Sequence, residues 1–206
     1  MSNLELTNHN QILVQQVREL AELFGFETRN KYQIMDANRE PLAFAAEEGQ
    51  GVFSFVLRQF FGHWRSFSVH FMGLDGRLVL TAHHPFRFFF ERIDVRDENG
   101  RFLGAVQKRF SFFSKRFDVL SERGMPLMEV SSPLWKIWSF TFEKRGRAVA
   151  TINKKWSGLF NEVFTDKDNF VIDYGDQDLP PTERTLILAS SIFIDLLYFE
   201  RKASSQ

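Results

Sequence analysis

Residues 182–202 read TERTLILASSIFIDLLYFERK, and from Leu186 to Phe199 almost every side chain is apolar. A helix that is apolar on all sides needs an apolar surround, either a bilayer or the protein's own interior. Thr185 to Phe199 makes 15 residues, about 22 Å at about 1.5 Å per residue. A bilayer core asks for about 20 residues, and runs of about 10–14 are more often buried core helices. Asp195 sits inside the run, where insertion into a membrane would cost about 2.5–3.5 kcal/mol. Length and charge together favour a helix over about 182–200 that is threaded through the protein's own core.

What could surround such a helix is written upstream. From about residue 31 to 176 the apolar residues alternate with polar ones, as strands require. Tyr32 and Ile34 share a face before a turn at Asn38. Phe67, Val69 and Phe71 lead to Asp75-Gly76, and Ile93 and Val95 lead to Asn99-Gly100. Phe117 and Val119 precede Gly124, and Phe140 and Phe142 precede Gly146. Asp-Gly and Asn-Gly between alternating runs are strong hairpin signals. Five such hairpins in succession predict a mainly β fold, an antiparallel meander closed as a barrel or folded as a sandwich. Ahead of it, Ile12, Leu13, Gln16, Val17, Leu20, Leu23 and Phe24 recur at three- and four-residue steps up to Gly25. That spacing predicts an amphipathic N-terminal helix over about 10–25, with Asn10 as its cap. No linker or low-complexity stretch divides the 206 residues, so one domain over 1–206 is expected.

The composition, 44% hydrophobic and 25% charged, is that of a globular chain. Phe is the unusual residue, with 25 copies against 3 Tyr and 4 Trp. Lys+Arg and Asp+Glu balance at 26 each, so no nucleic-acid partner is expected. The absence of cysteine excludes disulfides, thiolate catalysis, cysteine metal sites and palmitoylation. MSNLELTNHNQ has neither the basic start nor the apolar run of a signal peptide, so secretion is not expected. No P-loop, G-x-S-x-G or G-x-G-x-x-G motif occurs, and no nucleophile is set beside a base. Catalysis has no support, and the chain is not expected to be an enzyme.

Two segments could carry a binding function. KRFSFFSKRF (108–117) sets Lys108, Arg109, Lys115 and Arg116 around Phe110, Phe112, Phe113 and Phe117. Cations among aromatic rings suit an anionic membrane surface. The plainer reading is a hairpin with its Phe side chains inward and its charges solvated. Phe88-Phe89-Phe90 must likewise send rings to both faces of a strand. TDKDNFVIDYGDQD (165–178) gathers Asp166, Asp168, Asn169 and Asp173 in an oxygen-rich run suited to Ca²⁺. The run is equally an acidic turn before an inward-facing strand of Phe170, Ile172 and Tyr174. His83 and His84 are adjacent, so on a strand they face opposite ways and do not share a metal.

These pieces line up with a known family. QILVQQVRELAELFGFETRNKYQI (11–34), KYQIMDANREPLAFAAEE (31–48), KKWSGLFNEVFTDKDNFVIDY (154–174) and the terminal SSIFIDLLYFE (190–200) resemble the corresponding parts of phospholipid scramblases. The resemblance implies a tubby-like fold, a twelve-stranded antiparallel barrel around the C-terminal hydrophobic helix. It implies Ca²⁺-dependent, bidirectional movement of phospholipids between leaflets, with membrane phospholipids as the partner. The family's calcium segment falls on 166–177, where Asp166, Asp168 and Asn169 match its pattern. Val171 stands for the family's sixth-place Gly, and Gln177, flanked by Asp176 and Asp178, for its closing acid. The proline-rich and cysteine-rich segments of the best-known animal members have no counterpart, so a short form consisting of the bare barrel is expected. Two readings follow. One is a calcium-linked lipid translocator. The other is a soluble tubby-like module binding anionic lipid headgroups or a protein partner through Lys108, Arg109, Lys115 and Arg116. Either is expected in the cytoplasm, peripheral to the plasma membrane or crossing it once.

Overall fold

The structure, a computed structural model, describes residues 4–17, 28–48, 66–85, 90–136, 138–155, 169–175 and 178–198. Twelve strands form one closed antiparallel barrel. They are β1 Gln11–Val17, β2 Thr28–Asp36, β3 Pro41–Glu48, β4 Phe67–Gly73, β5 Leu78–His84 and β6 Arg92–Asp97. β7 Phe102–Arg109, β8 Ser114–Ser121, β9 Pro126–Pro133, β10 Ser139–Lys144, β11 Arg147–Lys155 and β12 Asn169–Tyr174 complete it. Neighbours in sequence are neighbours in the sheet, and β1 pairs with β12 to close the ring. An even number of strands lets the first and last meet antiparallel, which leaves no edge. The helix α1, Pro181–Tyr198, runs through the interior with Leu186 to Leu197 all buried. This is the tubby-like architecture that the family resemblance implies.

The hairpins follow the sequence signals. Gly76, Gly100, Gly124 and Gly146 all adopt φ near +75°, the left-handed region that costs glycine nothing. Each of the five hairpins also carries a register shift one or two residues before its turn, at 34/35, 71/72, 95/96, 119/120 and 142/143. A bulge there sharpens strand twist, which closure requires. It also breaks strict alternation, so Leu78 is exposed while Val79 and Leu80 are both buried.

The expected N-terminal helix is absent from its first half. Residues 11–17 are a strand, and residues 18–25 lie outside the described set. Ile12 and Val14 point into the core, and β1 bridges β12 and β2. Asn10 caps nothing; its carbonyl accepts from the Tyr174 amide at 2.8 Å. Without β1 the barrel would present two open edges, and closing them outweighs a weak helical periodicity.

The barrel has two unlike ends. The tight turns of the five hairpins gather at one. Arg184, fully buried in the first turns of α1, closes that end by donating to the carbonyls of Leu6 and His9 at 3.2 and 2.8 Å. Its guanidinium lies 4.5 Å over the Tyr174 ring, whose hydroxyl donates to the Arg184 carbonyl at 3.1 Å. Glu183 accepts from Lys144 at 2.7 and 2.8 Å, a carboxylate placed where the helix dipole favours it. The last residues of β1, β3, β5, β7, β9 and β11, and the C-terminal end of α1, lie at the opposite mouth.

Candidate functional site: the polar mouth of the barrel

Strand alternation fills the barrel with apolar side chains until the last layer at the mouth opposite the turns, where polar inward residues stand among Phe67, Phe140 and Phe170. On β1 to β3, Gln16 donates to Asn30 at 3.1 Å and Asn30 donates to the buried Glu47 at 2.7 Å. On β5, His84 stacks on Phe67 with centroids 4.7 Å apart and sets its Nε2 2.6 Å from Glu91. Its neighbour His83 faces the other way and meets Ser68 at 3.0 Å, as strand geometry demands.

The next sector is cationic. Lys108 on β7 and Lys115 on β8 both lean into the mouth over the last residue of α1. Their Nζ atoms stand 5.7 and 4.2 Å from the Tyr198 ring centroid, and Lys115 is 5.5 Å from that of Phe140. Deeper in, Lys154 of β11 lies 3.4 Å from Asp195. Tyr32 donates to the other oxygen of Asp195 at 2.9 Å. All three are buried. The charge that argued against a membrane span is thus held inside the barrel by the wall that surrounds it.

The four expected lipid-binding cations therefore divide. Lys108 and Lys115 point into the mouth, whereas Arg109 and Arg116 point outward. Arg109 reaches Asp118 at 3.3 Å and Glu129 at 3.7 Å, and Arg116 donates to Ser114 at 3.1 Å. The phenylalanines divide too. Phe117 is core, but Phe110, Phe112 and Phe113 in the β7–β8 turn are 73%, 76% and 82% exposed, against the plain reading of an inward-facing hairpin.

The calcium segment is placed only in part. Asp166 and Asp168 lie outside the described residues, as does the side chain of Asn169. Asp173 stands four residues along β12 from Asn169, about 13 Å at about 3.3 Å per residue. It accepts a hydrogen bond from Gln11 at 2.6 Å on the outer wall. Among the described residues no three carboxylate or imidazole groups gather as a metal site. The connection from Lys155 to Asn169 does leave and rejoin the barrel at the polar mouth.

A model of the scramblase family matches residues 2–201. The chain is 31% identical to phospholipid scramblase 2 of Bos taurus, over 95% of this chain and 70% of that protein. The chain belongs to the scramblase family. It is 29% identical to phospholipid scramblase 1 of Rattus norvegicus, over 98% of this chain and 63% of that one. With human phospholipid scramblase family member 5 it shares 27% identity, over 92% and 73%. The chain thus spans about two thirds of the length of these curated relatives. A protein of Arabidopsis thaliana solved by X-ray shares the fold at 16% identity, with a TM-score of 0.50 over 91% of both chains. The scramblase family is one of lipid translocation rather than a catalytic class, and these relatives are named for phospholipids. Within this scramblase-family barrel no described helix is long and apolar enough to cross a membrane. α1 also carries Glu183, Arg184 and Asp195, each engaged by the barrel or the N-terminal segment.

Two arrangements were not foreseen from the sequence: the Tyr32–Asp195–Lys154 cluster and the Arg184 closure. Lys154 shares inward parity with Ala150 and Ile152, so carrying the alternation two residues further would have placed it in the core.

Proposed function

We propose that this scramblase-family barrel moves phospholipids between leaflets by engaging headgroups at its polar mouth. The observation that carries the reading is the pairing of Lys108 and Lys115 over Tyr198, two ammonium groups at the end away from the hairpin turns, beside exposed aromatic rings. Ammonium groups suit lipid phosphates, and each cation near an anionic surface contributes about 1 kcal/mol. The lumen is filled by α1, so lipid does not pass along the barrel axis. Headgroups are handled at the mouth and its rim. Arg109 and Arg116, engaged on the outer wall, add attraction to the surface rather than headgroup contacts.

Calcium belongs to the same proposal. Asp166 and Asp168 offer hard oxygen ligands, and the connection that holds them starts and ends at this mouth. Asp173, on the outer wall with Gln11, takes no part.

The test is lipid exchange in liposomes carrying the full chain and a fluorescent phospholipid that a membrane-impermeant reductant bleaches. Exchange faster than in empty liposomes, raised by Ca²⁺, is expected. Lys108→Ala with Lys115→Ala should slow it, and Asp166→Ala with Asp168→Ala should remove the calcium effect. Exchange no faster than in empty liposomes would reject translocation. Retained vesicle binding in that case would leave a headgroup-binding module.

A further inference from the structure

The β7–β8 turn raises three phenylalanines clear of the barrel. Phe110 and Phe112 meet edge to face at 4.8 Å, and Phe112 lies 6.5 Å from Phe113. The Ser111 and Ser114 hydroxyls of the same turn stand 3.0 Å apart. The sheet register places two further aromatics at the same end. Trp135, 80% exposed, lies between β9 and β10, and Phe90, 47% exposed, precedes β6. A globular surface rarely gathers apolar side chains in this way without a partner.

We propose that this aromatic crown is a membrane wedge, with Phe110, Phe112 and Phe113 entering the interfacial zone of an anionic bilayer and setting the polar mouth against the lipid headgroups. Charge selects the occupant. The tip is flanked by Lys108 and Arg109 before it and Lys115 and Arg116 after it, and exposed Lys136 adjoins Trp135. Rings that enter the interface while cations stay at phosphate depth match the layering of a bilayer surface. A second copy meeting this one tip to tip would instead set like charges together. Trp at the rim fits the interfacial preference of its ring, apolar in body and polar at the N–H. The wedge rests on the lipid reading of the mouth for its partner, but its readout is separate.

The chain has no cysteine, so a single introduced thiol labels one place in the full-length protein. Phe112→Cys carrying an environment-sensitive fluorophore is mixed with vesicles of phosphatidylcholine and phosphatidylserine. Its emission should rise several-fold and shift to the blue. The same label at Asn99→Cys, in a turn at the opposite end, should not respond. In co-sedimentation, Phe110→Ser with Phe112→Ser and Phe113→Ser should weaken vesicle binding by about tenfold or more. These side chains leave the core untouched, so an unchanged circular dichroism spectrum is expected for the triple variant. An unresponsive label at 112 on vesicle-bound protein would overturn the wedge. So would a triple variant that binds as tightly as the parent, or a parent dimer that the triple variant abolishes. Emission change without lipid exchange would keep the wedge and reject translocation; exchange without emission change would do the reverse.

Discussion

Asp195 decides the meaning of the helix that contains it. A carboxylate midway along an apolar helix is costly in a bilayer, and here Tyr32 and Lys154 surround it in the core. Lys154→Met leaves Asp195 buried without its cation and should cost about 3–5 kcal/mol in urea unfolding. Lys154→Met with Asp195→Leu should recover most of that loss, because a buried pair replaced by packed apolar groups is often neutral. Tyr174 gives a second test. Burial pushes its hydroxyl well above the ordinary tyrosine value, with the Arg184 guanidinium opposing. A folded value above the unfolded one, about 10, leaves the contribution intact below about pH 10 and removes it above, at about 1.4 kcal/mol per pH unit. Tyr174→Phe should cost about 1 kcal/mol at neutral pH from the lost hydrogen bond, and flatten this part of the alkaline fall. Urea midpoints on either side of pH 10 measure both effects. Of these residues the sequence displayed only Asp195 as unusual. Lys154 and Arg184 look like ordinary surface charges until the barrel closes around them.

Among the elements, the hairpins were readable because their turns carry a local requirement. A left-handed glycine between alternating runs is set by the chain itself. β1 was not readable, because its seven residues satisfy both periods. Ile12, Val14 and Gln16 alternate inward, while Ile12, Leu13, Gln16 and Val17 also fit a helical stripe. Pairing on both sides, with β2 and with β12 more than 150 residues away, selects the strand. The contact of β7 with α1 depends on a glycine with no turn to advertise it. A Cβ on Gly104 would stand 2.3 Å from the Leu120 carbonyl oxygen and 3.0 Å from Leu186. Gly104→Ala should therefore lose at least about 1–3 kcal/mol, the usual cost of overpacking, read as a lowered urea midpoint. An equivalent change at the solvent-facing turn residue Asn99 should have little effect.

At the scale of the molecule, the barrel is closed by charge at one end and polar at the other. Arg184 and Glu183 seal the turn end. The lysine pair and the aromatic crown share the mouth. That division was hidden in sequence, because residues far apart along the chain, from β1 to β11 and the end of α1, compose the mouth. KRFSFFSKRF announced its composition, but not that Lys108 and Lys115 point inward while Arg109 and Arg116 point out. The central claim is that α1 is the core of the barrel and stays there. Hydrogen exchange of the full chain, free of lipid and detergent, tests it most directly. The amides of Leu186 to Leu197 should exchange only through global unfolding, and adding anionic vesicles should leave them equally slow. Fast exchange of this segment in water, slowed only when lipid is supplied, would contradict the account and make α1 a membrane element.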